Sequence, residues 1–310
     1  MDWNSAEIQF FVQAALDEDI GAGDLTARAI VPAEAVARAK ILARRALVGA
    51  GMPLVERLFR ALDATARVET LVTEGGEAAA HAVLARVDCS ARALLTGERT
   101  ALNLLCHLSG VATLTREFVR AVAGTSTKIR DTRKTLPLLR RLEKYAVRTG
   151  GGENHRMGLY DAMLIKENHI AAAGSVREAL RRARAFLPCP GGRPETTAYE
   201  SFAPPRPGGT WEQAVPIQIE VRNEAEVREA LAAGADSLLL DNTSPAEATR
   251  WVALARAARP ACVVELSGGV TLENVRDYAA AGADYIAVGA LTHSAPAADL
   301  SLLVESPSRL

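Results

Sequence analysis

A chain of 310 residues has room for about two domains at ~150 residues each, or for one barrel with an appendage. Its 49% hydrophobic and 24% charged residues are the ordinary balance of a globular chain. The 36 Lys and Arg against 37 Asp and Glu leave a net charge of −1, which excludes a surface built throughout to grip nucleic acid.

Ile8, Phe11, Val12, Ala15 and Leu16 recur at helical spacing, so a helix is predicted over about Ser5–Leu16, closed by the turn Gly21-Ala22-Gly23-Asp24. Strands are predicted at Ala39–Ala43, Ala66–Leu71 and Ala82–Val87, with a helix at Pro53–Leu62 and a turn at Gly75-Gly76. A long helix or helix pair runs from Leu94 to Val122, interrupted at Gly110. Beyond Thr127 the texture changes to strands alternating with helices. The strands fall at Ile217–Val221, Ser237–Leu240, Cys262–Leu266 and Tyr285–Val288, and the helices at Ala225–Ala233, Ala246–Ala258 and Leu272–Ala280. This alternation predicts parallel βα units. Ala-Ala-Gly-Ala-Asp occurs at Ala232–Asp236 and again at Ala280–Asp284, an internal echo of one unit whose glycine suits a helix C-terminus.

The expected fold is therefore α/β: a β/α barrel, TIM-like and allowed to be incomplete, behind an N-terminal α+β sandwich domain. The N-terminal domain is expected over 1–110, with a tail at about 295–310 returning to it, and the barrel over 111–294. Seven prolines and four glycines between Pro188 and Pro216 cannot form a regular element and are expected to be a surface insertion. No apolar run approaches the ~20 residues of a membrane span. The opening Met1-Asp2-Trp3-Asn4 lacks the regions of a secretion signal, so a cytoplasmic setting is expected. Cys89, Cys106, Cys189 and Cys262 have no metal-finger spacing and are expected to be reduced thiols.

In parallel barrels, functional groups gather where the strands end. Glu220 and Asp241 close two successive predicted strands. One such acid is more often a helix cap or a solvated charge; two on neighbouring strands favour a shared divalent cation, Mg²⁺ for hard oxygen ligands. Ser267-Gly268-Gly269 before a helix, and Gly289 to His293 after the next strand, are placed to hold a phosphate. Between Lys128 and His169 ten Lys and Arg face five acids. Of these, Arg140, Arg141 and Lys144 read as the wet face of a helix. Arg133-Lys134 and His155-Arg156 follow turns from which side chains reach a cavity, and Lys166 ends the apolar stretch Ala162-Met163-Leu164-Ile165 as a snorkelling or buried cation. Two anion-binding regions and a metal result, with arginine suited to gripping carboxylates bidentately.

The blocks Asp131-Thr132-Arg133-Lys134-Thr135, Glu143-Lys144-Tyr145-Ala146-Val147, Gly150-Gly151-Gly152-Glu153-Asn154-His155-Arg156 and Leu164-Ile165-Lys166-Glu167-Asn168-His169-Ile170 strongly resemble the quinolinate phosphoribosyltransferases. So do Arg99-Thr100-Ala101-Leu102-Asn103, Leu240-Asp241-Asn242, Ser267-Gly268-Gly269 and Gly289 to Ser294, so that the likeness spans nearly the whole chain. The resemblance implies transfer of phosphoribosyl from 5-phosphoribosyl 1-pyrophosphate to quinolinate, with decarboxylation to nicotinate mononucleotide, in de novo NAD synthesis. It implies that Arg133, His155, Arg156 and Lys166 hold the quinolinate carboxylates, joined by Arg99 from the partner subunit of a homodimer or larger oligomer. Lys134, Glu220 and Asp241 would serve the ribosyl donor and its Mg²⁺, with Lys134, Lys166, Glu220 and Asp241 as the catalytic set. Ser267, Gly268, Gly269, Gly289 and His293 would surround the 5-phosphate. No nucleic-acid or membrane partner is expected.

The chain departs from the family pattern at Cys106-His107, where a Gln-Arg pair is usual, at Glu167 in place of Asp, and at Leu136 and Leu138 in place of smaller residues. Two rival readings share the fold. One is a sugar-phosphate aldolase with Lys166 as a Schiff-base amine; the other is a non-catalytic relative that binds an anion.

Overall fold

The computed structural model describes residues 1–186 and 217–305, so the Pro188–Pro216 insertion, Cys189 and the end of the C-terminal tail lie outside the described residues. Packing divides the chain into two compact units, one of residues 1–120, 134–154 and 289–310, the other of 121–133 and 155–288.

The first unit opens with α1 (Ala6–Ile20), which runs a turn further than its apolar spacing predicts before Gly21 ends it. Ile8, Val12 and Leu16, spaced by four, are its buried stripe. Asp24 caps α2 (Leu25–Ile30) by accepting from the Ala27 N–H at 2.8 Å. Strands β1 (Val36–Ala43) and β2 (Leu47–Val48), helix α3 (Met52–Leu62), strands β3 (Arg67–Thr70), β4 (Glu77–Ala78) and β5 (Val83–Ser90), and helix α4 (Ala91–Ala121) follow. Helix α5 (Arg140–Thr149), the single-turn α11 (Ala290–His293) and β12 (Leu300–Glu305) complete the unit. Its sheet runs β12-β1-β5-β3, with antiparallel pairing between neighbours. Ala39, Ile41 and Ala43 alternate inward along β1, the period of a strand with one buried face. Behind them Leu54, Val55, Leu58 and Phe59 of α3 and Leu94, Leu105 and Leu108 of α4 are buried.

Helix α4 is continuous through Gly110, where an interruption is expected from sequence. The glycine has another use: a Cβ there would lie 2.1 Å from the Pro296 carbonyl oxygen, so the missing side chain admits the neighbouring backbone.

The second unit is a six-stranded parallel sheet in the order β6-β11-β10-β9-β8-β7, with helices between the strands. The strands are β6 (Lys128–Arg130), β7 (Met163–Ile165), β8 (Ile217–Val221), β9 (Ser237–Asp241), β10 (Val263–Ser267) and β11 (Tyr285–Ala287). The helices are α6 (Glu167–Ala173), α7 (Val176–Phe186), α8 (Glu224–Ala232), α9 (Pro245–Ala258) and α10 (Val275–Ala279). Ile219, Leu238, Leu240, Val264, Leu266 and Ile286 occupy one face and are fully buried. The two Ala-Ala-Gly-Ala-Asp echoes behave alike: Gly234 (φ +80°) and Gly282 (φ +78°) make the left-handed turn between a helix and the next strand. Cys89 and Cys262 are buried, Cys106 is partly so, and all three are free; burial raises each thiol pKa, that of Cys89 to about 11. No helix among the described residues is long and apolar enough to cross a membrane.

Candidate active site

Strands of a parallel sheet covered on both faces read as continuous apolar runs. Here several alternate positions break that rule. Register places Glu220, Leu239, Glu265 and Tyr285 in one row across β8, β9, β10 and β11, and Asp241, Ser267, Ala287 and Arg130 in the next row. Because side chains alternate between faces, these residues share the face opposite the apolar one. At its edge Lys166 follows β7, with Nζ 3.3 Å from Glu220 Oε2. Glu220 and Asp241 thus stand at the C-terminal ends of adjacent strands, where sequence places them.

Arg133 and Arg156 approach closely enough that the charge of Arg133, second to burial, lowers the Arg156 pKa; Asp161 opposes this. Arg156 Nη1 donates to the Ala162 carbonyl at 3.0 Å, while its Nε is buried with no hydrogen-bond partner among the described residues. A guanidinium with a buried, unused donor, under the charge of a second arginine, suits an anion more than a structural ion pair. His155 is held at several points, with Nε2 also 3.6 Å from Glu265 Oε1. Its backbone N–H donates to the buried Asp131 Oδ1 at 2.7 Å, Nδ1 accepts from the Arg156 N–H at 2.7 Å, and Nε2 lies 2.9 Å from Gln218 Oε1.

The Ser267-Gly268-Gly269 loop needs its glycines. Both have positive φ, +99° and +63°, and a Cβ on Gly268 would sit 2.2 Å from Asn242 Oδ1. The Asn242 N–H donates to the Ser267 carbonyl at 2.8 Å, tying the loops after β9 and β10 together. The glycines do not open a helix directly, as expected from sequence: α10 starts only at Val275.

In the first unit Lys134, Gly289 and His293 come together. A Cβ on Gly289 would meet Lys134 Cδ at 3.0 Å and His293 Nε2 at 3.1 Å, and Thr292 Oγ1 donates to the Lys134 carbonyl at 2.8 Å. Arg99 is exposed on α4. Lys144, expected on a wet helix face, is instead 1% exposed, and its neighbour Glu143 is fully buried. Glu143 explains the departure at Cys106-His107: its Oε1 is 2.9 Å from His107 Nε2 and its Oε2 accepts from the Leu136 N–H at 3.1 Å. His107 thus partners a carboxylate that holds the loop after Lys134. Leu138 of that loop has φ +66° and is 93% exposed, and Glu167 pairs with Arg222 at 2.5 Å. Asp131, Glu143, Gln218 and Glu265 were not singled out by sequence; for Gln218 and Glu265 the signal was a polar residue within an otherwise apolar strand, whereas Asp131 follows β6 and Glu143 lies in helix α5.

A parallel α/β sheet whose strand ends set lysine and arginine beside carboxylates offers the charged groups to hold a small anion. The chain matches the models of "Quinolinate phosphoribosyl transferase, N-terminal domain" over residues 24–109 and "Quinolinate phosphoribosyl transferase, C-terminal domain" over 111–191 and 209–303. It is 42% identical over 297 residues to the nicotinate-nucleotide pyrophosphorylase [carboxylating] of Mycobacterium leprae, covering 94% of this chain and 95% of that one. It is 41% identical over 286 residues to a probable nicotinate-nucleotide pyrophosphorylase [carboxylating] of Bacillus subtilis, covering 92% and 89%. The nicotinate-nucleotide pyrophosphorylase structure from Francisella tularensis superposes with a TM-score of 0.83 at 34% identity, covering 96% of each chain. The chain belongs to the quinolinate phosphoribosyltransferase family, a family of pentosyltransferases.

Proposed function

We propose that this chain transfers the phosphoribosyl group of 5-phosphoribosyl 1-pyrophosphate to quinolinate and decarboxylates the product, releasing nicotinate mononucleotide, pyrophosphate and CO₂ for NAD synthesis. The observation that carries the reading is the Lys166 ammonium 3.3 Å from Glu220 at the strand ends, beside Asp241 on the next strand, in the unit that also holds Arg133 and Arg156. A pyridine with adjacent carboxylates calls for convergent, charge-assisted donors, and Arg133, Arg156 and Lys166 are placed in this reading on the diacid. Arg99 joins them from the partner subunit of a homodimer. In this reading the six parallel strands belong to a β/α barrel and the N-terminal part of the chain to an α+β sandwich. The setting is cytoplasmic, in keeping with the free thiols of Cys89, Cys106 and Cys262.

The ring nitrogen forms its bond to ribose C1 while the C1–O bond to pyrophosphate breaks, and that electron pair leaves with pyrophosphate. Lys134 offers charge to the departing group. Ser267, Gly268, Gly269, Gly289 and His293 seat the 5-phosphate, the glycines by letting backbone N–H groups come close. The alkylated ring is a pyridinium, so it accepts the electron pair left at C2 when CO₂ departs, and a proton then takes that position. No covalent bond to the protein is needed.

Mg²⁺ fits the acids present. Among the described residues no group of three or more His, Cys, Asp or Glu side chains converges, while Glu220 and Asp241 stand on neighbouring strands. Mg²⁺ is commonly held by one or two carboxylates and completed by water and substrate phosphates. When bound it would neutralise charge on the pyrophosphate. The aldolase reading fits Lys166 poorly: its side chain is 53% exposed and faces a carboxylate, whereas Schiff-base lysines are activated in apolar pockets or beside another cation.

The test supplies the purified protein with quinolinate, the ribosyl donor and Mg²⁺ and follows nicotinate mononucleotide. Product is expected only with all three present, and Glu220→Ala combined with Asp241→Ala should raise the Mg²⁺ requirement. Failure of the native protein to form product, while still binding quinolinate, would favour a non-catalytic anion-binding relative.

A further inference from the structure

The first unit buries a carboxyl group that the proposed reaction does not use. Glu143, in the first turn of α5, is fully buried. Burial without partners would be costly, and each of its oxygens has one. Oε1 lies 2.9 Å from His107 Nε2 on α4, and Oε2 accepts from the Leu136 backbone N–H at 3.1 Å. That amide can only donate, so Oε2 is an acceptor whatever the ionisation of the acid. Oε1 meets the ring nitrogen whichever of the two carries the proton. Glu143 therefore ties α4 to the loop of residues 134–139, all within the first unit.

This loop begins with Lys134 and needs external ties. Leu138 has φ +66°, a conformation that a leucine holds only where its surroundings impose it. Three consecutive residues are pinned by α11 and α5. The Lys134 carbonyl accepts from Thr292 Oγ1 at 2.8 Å, Thr135 Oγ1 accepts from Arg140 Nε at 2.9 Å, and the Leu136 N–H goes to Glu143. The Thr135 tie runs through a rotating side chain, whereas the Leu136 amide is backbone. Thr292 and Glu143 between them thus set the path of the chain immediately after Lys134. The Lys134 stem packs over Gly289, its Cδ 3.0 Å from where a Cβ would stand, so a shift in that path displaces the ammonium.

We propose that Glu143 and His107 are positioning residues for Lys134. Glu143 acts by holding the Leu136 amide, and His107 by holding the second oxygen of Glu143 and with it the side chain's direction. The part concerning catalysis rests on the reading that Lys134 serves the departing pyrophosphate; the tie from α4 to the loop does not.

Hydrogen exchange of the full-length protein, resolved at the Leu136 amide, tests the tie without turnover. Leu136 is 45% exposed, so slow exchange there reports the hydrogen bond and not burial. The native amide should be protected. His107→Leu should speed its exchange about 10-fold while the strand amides of the first unit keep their rates. His107→Gln, which keeps an N–H for Oε1, should restore the protection. Where the leucine variant does not fold, His107→Asn, polar but too short to reach Oε1, takes its place with the same expectation. In turnover the variant that loses the tie should lower kcat about 10-fold with KM for quinolinate little changed, as a misplaced charge at the leaving group does, and His107→Gln should recover most of it. A fast-exchanging native Leu136 amide, unaltered exchange in the folded variant, or a quinolinate KM that rises as much as kcat falls would overturn the proposal. An inactive native protein whose Leu136 amide is protected and then released by the variant would instead leave the tie standing and remove the assigned substrates.

Discussion

Lys166 leaves the end of β7 with its ammonium 3.3 Å from Glu220, while burial and Arg133 act on Arg156 nearby in sequence to His155. Removing either cation should strip a charge-assisted contact from the diacid while leaving the sheet intact, since both follow strands and neither belongs to the apolar face. Lys166→Ala and Arg133→Ala are each expected to lower kcat/KM for quinolinate at least ~10²-fold in folded protein. Near-native kinetics in both would remove these residues from the site. Such positions were legible because a charge at the end of an apolar strand is conspicuous in one dimension. Glu265 was not, because its burial is decided by Arg130, distant in sequence, which becomes a neighbour only through the parallel register of β6, β11 and β10. Lys144 misled for the same reason: helical spacing says which residues share a face, and the tertiary neighbours decide whether that face is wet.

Among the elements, α4 shows where local propensity and packing part company. A glycine inside a helix ordinarily costs about 0.5–1 kcal/mol relative to alanine, which is why Gly110 reads as a break. The helix nevertheless continues, because backbone at Pro296 and Ala297 occupies the space a side chain would take. Gly110→Ala should therefore destabilise the protein, reversing the sign expected for an exposed helix glycine, and thermal unfolding measures it directly. A raised midpoint would mean that the approach of residues 296–297 is not tight. The α8 and α9 helices and strands β8 to β11 were legible to within a residue or two, since alternating apolar runs and the repeated Ala-Ala-Gly-Ala-Asp turn mark both ends of a unit. Helix α10 was read too long, because Thr271 to Asn274 carry helical composition but bend first, with the Thr271 N–H donating to Asn274 Oδ1 at 2.8 Å.

At the scale of the whole molecule, the two faces of the parallel sheet divide the work. One buries Ile219, Leu238, Leu240, Val264, Leu266 and Ile286 against helices; the other carries Glu220, Asp241, Glu265, Ser267 and Arg130. Apolar burial of about 25 cal/mol per Å² of surface on the first face stabilises a fold that tolerates charges on the second. The alternation that places acids at strand ends is readable from sequence; the row in which they meet their partners is set by register and appears only in three dimensions. The most direct measurement is a crystal structure with quinolinate bound. Its two carboxylates are predicted to lie against the guanidinium groups of Arg133 and Arg156 and the ammonium of Lys166, with Glu220 and Asp241 left facing the ribosyl donor. Quinolinate seated elsewhere, with these three cations directed to solvent, would contradict the assignment of the site.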